Sequence, residues 1–520
     1  MNYVDLFRAT LPETALEIAA LLVIVVDLGF LRKAAAKSRV AVAALLGVAG
    51  CAVAIWAVYA AGWSGFSNGS YLLLAAGGSA AVAQVAILVL TALTLLLLID
   101  SEFTRNPGEY VAVVLMAAAG GLIISAAQDL LVIFVGLELL SLGLYILTAF
   151  AKRSGKSAEA AMKYYLFGGM SAAFLLFGFS YLYGLSGSTY LPRVVQGTFM
   201  ASANGAAPLL LLALVMIAAG LGFKIAAVPF HFWAPDTYEG APASAAAFIA
   251  SVSKVASFAL LISISYTVRW APLMLHMTVS VSGGVLPPGA PIPRYVPDMG
   301  TMWTLILMVL SAASMVFGNL AALAQSSVRR LLAYSAIAHA GYILLGLIYF
   351  SRTSAPQAVL YYVLTYSLTT IGAFGVVGVV ERATGSDKLD SFLGLHKRNP
   401  LLAAVLLVLF LSLAGIPPLV GFWAKFNLFA AVLSMFGGNL RMGGAMLPLT
   451  LVALAIAFSA VSLYYYLQVL KRAYVMPAAD ETPINAHPVT LAVLLLIAAA
   501  VVVLGCFPAL LQNWIASFYS

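Results

Sequence analysis

The run IFVGLELLSLGLYIL, residues 133–147, places one carboxylate, Glu138, in the middle of an otherwise apolar stretch. The run shows no alternation of polar and apolar positions, and with its neighbours it reaches the roughly 20 helical residues that cross a bilayer core. Lipid supplies no partners for free backbone groups, so a spanning chain closes its hydrogen bonds within helices or around a barrel, and the missing alternation excludes the barrel. Similar runs recur along the 520 residues. The chain is 63% hydrophobic and 8% charged, with a mean hydropathy of +1.05, where a soluble domain carries about a quarter charged residues.

Fourteen spans are predicted, at about 11–31, 40–62, 79–99, 110–127, 129–151, 162–184, 208–233, 242–267, 302–323, 328–351, 356–381, 400–434, 449–473 and 489–513. No charged or Ser/Pro-rich linker interrupts them, so residues 1–520 read as a single integral membrane domain of an all-α polytopic protein. Residues 1–13 hold two acids and only Arg8 ahead of the first run, unlike a signal peptide, so the first span is expected to be retained. Cys51 and Cys506 fall in predicted helices and read as small apolar filler.

A net charge of +8 and an isoelectric point near 9.3 raise the possibility of nucleic acid, but the basic residues sit in short connections between spans, which argues for no nucleic-acid partner. Seventeen of the 26 follow odd-numbered spans, among them Arg32, Lys33, Arg39, Lys156, Lys163, Arg329, Arg330, Arg382 and Lys388. Six lie on the opposite side: Arg8, Arg193, Arg269, Arg294, Arg352 and Arg441. By the positive-inside rule both termini face outward across an inner (plasma) membrane.

Three basic residues remain, and they lie within spans: Lys224, Lys254 and Lys425. Glu138 and, in the tenth span, His339 join them. A charge at a helix centre costs about 2.5–3.5 kcal/mol, on the order of 10 kcal/mol for four left unpaired, so such residues face a partner or a wet cavity and serve transport. Lysine suits protons because desolvation or a nearby cation loosens its proton and a carboxylate tightens it, whereas arginine stays charged. Each residue also has a structural reading: Glu138 with Lys224 as a static ion pair, and His339 as a hydrogen bond across a close helix contact. Lys254 has no second mid-span acid to neutralise it.

Prolines interrupt two of the lysine-bearing spans, Pro229 after Lys224 and Pro417–Pro418 before Lys425, and they predict discontinuous helices 7 and 12. PFHFW at 229–233 echoes PLVGFW at 418–423, five spans later. Likewise Glu138 precedes Tyr145-Ile146-Leu147, and His339 precedes Tyr342-Ile343-Leu344. A five-helix unit over about 110–267 is therefore expected to recur over about 302–473, with 489–513 as a last helix, and an odd number of helices inverts the copy. The stretch at about 270–300, rich in proline, reads as an irregular cover with His276 at its surface. Asp236 and Glu239 read either as guides for proton uptake or as caps of the next helix, and Asp27 and Glu17 as peripheral pairing sites.

These residues resemble the antiporter-like membrane subunits of the proton-pumping NADH:quinone oxidoreductase, respiratory complex I, and among them most closely the N subunits. The resemblance rests on residues 134–178, on FKIAAVPFHFWAPDTYEGAP (223–242), on SVSKVASFA (251–259), on SSVRRLLAYSAIAHAGY (326–342) and on LSLAGIPPLVGFWAKF (411–426). It implies a fourteen-helix fold with inverted repeats and an axis of proton-transferring residues matching Glu138, Lys224, Lys254 and Lys425. His339 falls where family members vary between Lys and His. The lysine at 425 sets the chain apart from M subunits, and its length from the longer L subunits. The resemblance further implies no cofactor in this chain, with NADH, flavin, iron-sulfur clusters and quinone held by partner subunits. The implied partners are neighbouring antiporter-like and small quinone-side membrane subunits and the lipid bilayer. A multisubunit cation/proton antiporter would use the same interior charges and stands as the alternative.

Overall fold

The computed structural model describes residues 7, 10–60, 74–75, 78–101, 103–281, 299–348, 354–434, 446–478 and 482–519. The apolar runs form α1 (Leu11–Val25), prolonged by a π turn at Val26–Phe30, then α2 (Ala36–Ala60), α3 (Gly78–Leu98), α4 (Pro107–Ala126), α5 (Leu130–Thr148) and α6 (Gly155–Ser186). The seventh span is α7 (Ala207–Ile225) followed by α8 (Trp233–Gly240), and α9 is Ala243–Val281. There follow α10 (Met299–Leu323), α11 (Val328–Ile348), α12 (Ser354–Thr384), the pair α13 (Pro400–Ala414) and α14 (Val420–Ser434), α15 (Met446–Tyr474) and α16 (Pro488–Cys506). Among the described residues, twelve stretches are long and apolar enough to cross a membrane. With α1 and its π turn, and with α13 and α14 taken together, they account for the fourteen predicted spans.

Helix ends are set by local chemistry. Pro107 and Pro400 open α4 and α13, where a missing N–H costs nothing. The Asp129 carboxylate accepts from Leu131 N at 2.9 Å to cap α5, and Asn399 caps α13. The helix α6 stops at Gly187, whose φ of +69° suits glycine. Asp27 does pair: it takes Arg39 Nε at 2.7 Å, Arg39 Nη2 at 2.8 Å and Gly108 N at 3.2 Å, tying α1, α2 and α4 together. Glu17 is exposed.

The two breaks fall at the prolines. The helix α7 ends at Ala226 (φ +58°) and α13 at Gly415 (φ +87°), each turning left-handed before its proline. The discontinuity predicted for the 208–233 span is present: Pro229 has no donor, so the last helical residue of α7 is Ile225 and the helix resumes at Trp233. A correction concerns the expected cover at 270–300: α9 stays helical to Val281, the side chain of His276 lies outside the described residues, and so do residues 282–298. Cys51 is buried filler as expected, but Cys506 closes α16 with its side chain exposed, and both are free.

The internal echo has a backbone counterpart. Before α5, Leu130 N bonds Thr189 O and Leu191 N bonds Gln128 O, both at 2.9 Å; before α11, Val328 N bonds Asp387 O and Leu389 N bonds Ser326 O, both at 2.9 Å. Each bridge carries an aspartate–hydroxyl bond, Thr189 to Asp129 in one and Ser327 to Asp387 in the other. Five spans separate the two bridges along the chain, the spacing expected of the inverted copy. The crossings match too: a Cβ at Gly120 would stand 2.6 Å from Leu140 N, and one at Gly318 2.6 Å from Ala338 N. The most enclosed spans are α9 and α11, and these carry Lys254 and His339.

Overpacking a close crossing costs about 1–3 kcal/mol or more. Gly318→Leu is therefore expected to lower the yield of detergent-stable protein sharply, while Gly184→Leu, where nothing lies within 4 Å, leaves it unchanged. Size-exclusion profiles of the two variants measure the difference, and equal yields would count against this crossing as a packing constraint.

Candidate functional site

Lys224 occupies the last turn of α7, where the carbonyl end of a helix favours a cation. Its side chain is buried, its Nζ donates to Ser141 Oγ on α5 at 2.5 Å, and it stands 5.9 Å from the centre of the Tyr145 ring. Glu138 lies one turn before Ser141 and is half-buried on the flank that also exposes Leu131, Val135, Leu142 and Ile146. The expected ion pair between Glu138 and Lys224 is not closed. Among the described residues no hydrogen bond or ion pair holds the Glu138 carboxylate, and Ser141 takes the ammonium instead. The acid stands at the edge of the subunit and the lysine further in.

The other three residues come together around the break of helix 7 and its counterpart. Lys254, 2% exposed, donates to Ile225 O at 3.3 Å, the carbonyl at the end of α7, and to Ala336 O on α11 at 2.5 Å. Lys425, 6% exposed, donates to Ala414 O at 2.9 Å, the carbonyl at the end of α13, and to Ser459 Oγ on α15 at 2.8 Å. His339 is buried with its Nδ1 3.0 Å from the Tyr362 hydroxyl and its Nε2 3.4 Å from the Tyr466 hydroxyl. Its ring packs against Tyr342 and Tyr366. Those tyrosines face the lysines: Lys425 is 5.6 Å from the Tyr342 ring centre and Lys254 is 5.7 Å from that of Tyr366.

The charged residues were visible in the sequence; the hydroxyls between them were not singled out. Asn319 joins the Tyr342 hydroxyl (2.9 Å) to that of Tyr465 (3.1 Å), and Ser335 bonds Tyr466. The available signal was the set of tyrosines inside apolar spans, YYVLTY at 361–366 and YYY at 464–466, since a buried phenol needs a partner. Ser253 Oγ and the Tyr361 and Tyr366 hydroxyls are buried without a hydrogen-bond partner among the described residues. Buried polar groups of this kind are ordinarily satisfied by ordered water.

On the basic face, Asp236 and Glu239 cap nothing: both lie in α8. Asp236 meets Lys163 at 2.8 Å and Arg330 at 2.7 Å, and Glu239 meets Arg330 at 3.0 Å. Arg329 crosses to Glu381 at 2.7 Å and donates to the Glu239 and Ala241 carbonyls. Beside this network a cleft of about 790 Å³, lined by Arg329, Arg330, Glu381, Asp387 and Ser244, reaches Ala247 and Phe374. Ala247 is two helical turns, about 10 Å, before Lys254 on α9. Among the described residues no group of three or more His, Cys, Asp or Glu could hold a metal ion.

The family described as NADH:quinone oxidoreductase/Mrp antiporter, TM, matches residues 127–287 and 291–447, which hold Glu138, Lys224, Lys254, His339 and Lys425, while Ser459, Tyr465 and Tyr466 lie beyond the match. NADH-quinone oxidoreductase subunit N 2 of Acidobacterium capsulatum is 46% identical, and the alignment covers 99% of each chain. The chain belongs to the subunit N family of NADH-quinone oxidoreductase. A chain in respiratory complex I from Thermus thermophilus shares the fold at a TM-score of 0.73 and 32% identity, covering 96% of this chain and 98% of that one. A chain of the Mrp complex from Dietzia sp. shares the fold alone, at a TM-score of 0.75 and 19% identity over 98% of this chain and 96% of that one.

In this subunit N relative the buried lysines rest on neutral oxygens, an arrangement whose desolvation cost offsets most of its attraction. Lys254→Met and Lys425→Met are accordingly expected to keep the melting temperature of the purified assembly unchanged or to raise it. A clear fall in both would instead make these lysines structural.

Proposed function

We propose that this chain carries protons across the membrane as a non-redox subunit of a proton-translocating NADH:quinone oxidoreductase. The observation that carries the reading is the burial of Lys224, Lys254 and Lys425 at bilayer depth with each ammonium on neutral carbonyl or hydroxyl oxygens. Without a carboxylate to lock it, such a lysine can give up and regain its proton, which an ion pair would prevent.

Protons are taken up from the cleft on the basic, inward face and reach Lys254. They pass His339 through the Tyr362 and Tyr466 hydroxyls and bound water, arrive at Lys425 and leave outward. A neutral imidazole held between two hydroxyls donates at one nitrogen and accepts at the other, so it can hand a proton on. Glu138 and Lys224 act as the electrostatic switch: bringing the carboxylate nearer tightens the proton on Lys224, and withdrawing it loosens that proton. The repeat units run over about 110–267 and 302–473, both termini face outward, and the membrane is the inner (plasma) membrane. NADH, flavin, iron-sulfur clusters and quinone belong to partner subunits, and the neighbours in the membrane are antiporter-like and small quinone-side subunits.

Lys224→Ala is expected to abolish proton translocation while NADH-oxidising assembly persists; full pumping by an assembled K224A complex would reject the pathway. A multisubunit cation/proton antiporter is the competing reading, supported by the shared fold of the Mrp chain. Purification separates the two, because an antiporter subunit would come away without flavin or iron-sulfur proteins.

A further inference from the structure

Around Lys224 the packing singles out a residue with no side chain. Tyr145, on α5 one turn after Ser141, presents its ring to the Lys224 ammonium at 5.9 Å. The ring is gripped by α6: Tyr164 meets it edge-on at 4.7 Å and Tyr165 at 5.8 Å. Tyr164 in turn stacks flat on Trp233 of α8 at 4.3 Å, and Trp233 donates to Phe223 O, the carbonyl just before Lys224, at 2.8 Å. Tyr145 is therefore enclosed on the lysine side and along its edges. Its hydroxyl points at Gly168 of α6, which is buried, and a Cβ there would fall on that hydroxyl, within 2.5 Å of Tyr145 Cζ and 3.1 Å of Cε1. The overlap falls on the far end of a side chain, so it is relieved most cheaply by moving the phenol, whose ring also faces the Lys224 ammonium. The next residue, Gly169, is exposed with nothing within 4 Å of the same construction.

We infer that Gly168 is a positioning residue for Lys224, acting through the Tyr145 ring: it leaves the space in which the phenol can lie while Lys224 holds Ser141. This rests on the proposed proton path and adds to it a residue on a neighbouring helix that touches no charged group. An added methyl would move the phenol against Lys224 and disturb the bond to Ser141 on which the switch turns.

The test compares Gly168→Ala, Gly169→Ala, Tyr145→Phe and the double variant G168A/Y145F with Lys224→Ala, all in the intact complex, reading assembly and NADH-driven proton translocation. Gly168→Ala is expected to lower translocation roughly tenfold or more, the scale set by an ångström of misplacement at a reacting group. Gly169→Ala, which gains the same helix propensity, leaves it unchanged. Removing the hydroxyl in G168A/Y145F takes away the shortest contact but leaves Cζ 2.5 Å from the added Cβ, so the double variant is expected to recover assembly and translocation part of the way towards the level of Tyr145→Phe. If Tyr145→Phe alone loses transport, the hydroxyl is itself required, and equal losses in Gly168→Ala and Tyr145→Phe with Gly169→Ala intact support the same inference. The inference is overturned if Gly168→Ala behaves as Gly169→Ala, or if the double variant pumps no better than Gly168→Ala while Tyr145→Phe pumps. Failure of the underlying reading looks different: Lys224→Ala then pumps normally.

Discussion

An interrupted helix inside a membrane leaves carbonyls with nowhere to turn, and in this protein ammonium groups take them. At the end of α7 the Ile225 carbonyl goes to Lys254, and at the end of α13 the Ala414 carbonyl goes to Lys425. Lipid satisfies neither partner, so the two meet at each break, where the cost of desolvating the ammonium offsets most of the attraction. The prolines that break the helices and the lysines that span them are therefore one device, used once in each repeat. Around the breaks α9, α11 and α15 pack close enough to complete the lysines' coordination.

The two copies of the device are not equivalent, and the differences fall where function would use them. In the first, a lysine sits before the break and another reaches in from α9; in the second, the lysine sits after the break on the same span. Lys254 reaches across to Ala336, so the interior of one repeat is hydrogen-bonded to a central helix of the other. The fifth-span carboxylate of the first repeat answers to an imidazole in the second, enclosed by hydroxyls rather than standing at an edge. A half-buried Glu138 on a flank of apolar side chains is a charge that lipid alone would not tolerate.

On the basic face, ion pairs hold α8 to α6 and α11. Half-exposed pairs of this kind contribute about 0–1 kcal/mol each. Their value is positional, because α8 carries Trp233 against Phe223 and so braces the last turn of α7 beside Lys224.

Much of this was legible in the chain. Span count, the two breaks and the five ionisable residues follow from hydropathy, proline chemistry and the cost of a charge at bilayer depth, all of which act on residues one at a time or along a single helix. What could not be read was who touches whom across helices. Ser141 holding Lys224, the tyrosines on either side of His339, the carbonyl under each lysine, the salt bridges of Asp236 and the room that Gly168 leaves for Tyr145 all join residues far apart in sequence. Rotation and crossing of packed helices decide these contacts, and hydropathy is nearly blind to rotation when a span is apolar on every side. The sequence by itself determined that charges would be buried in broken membrane helices; only the tertiary structure decided which oxygens they would meet.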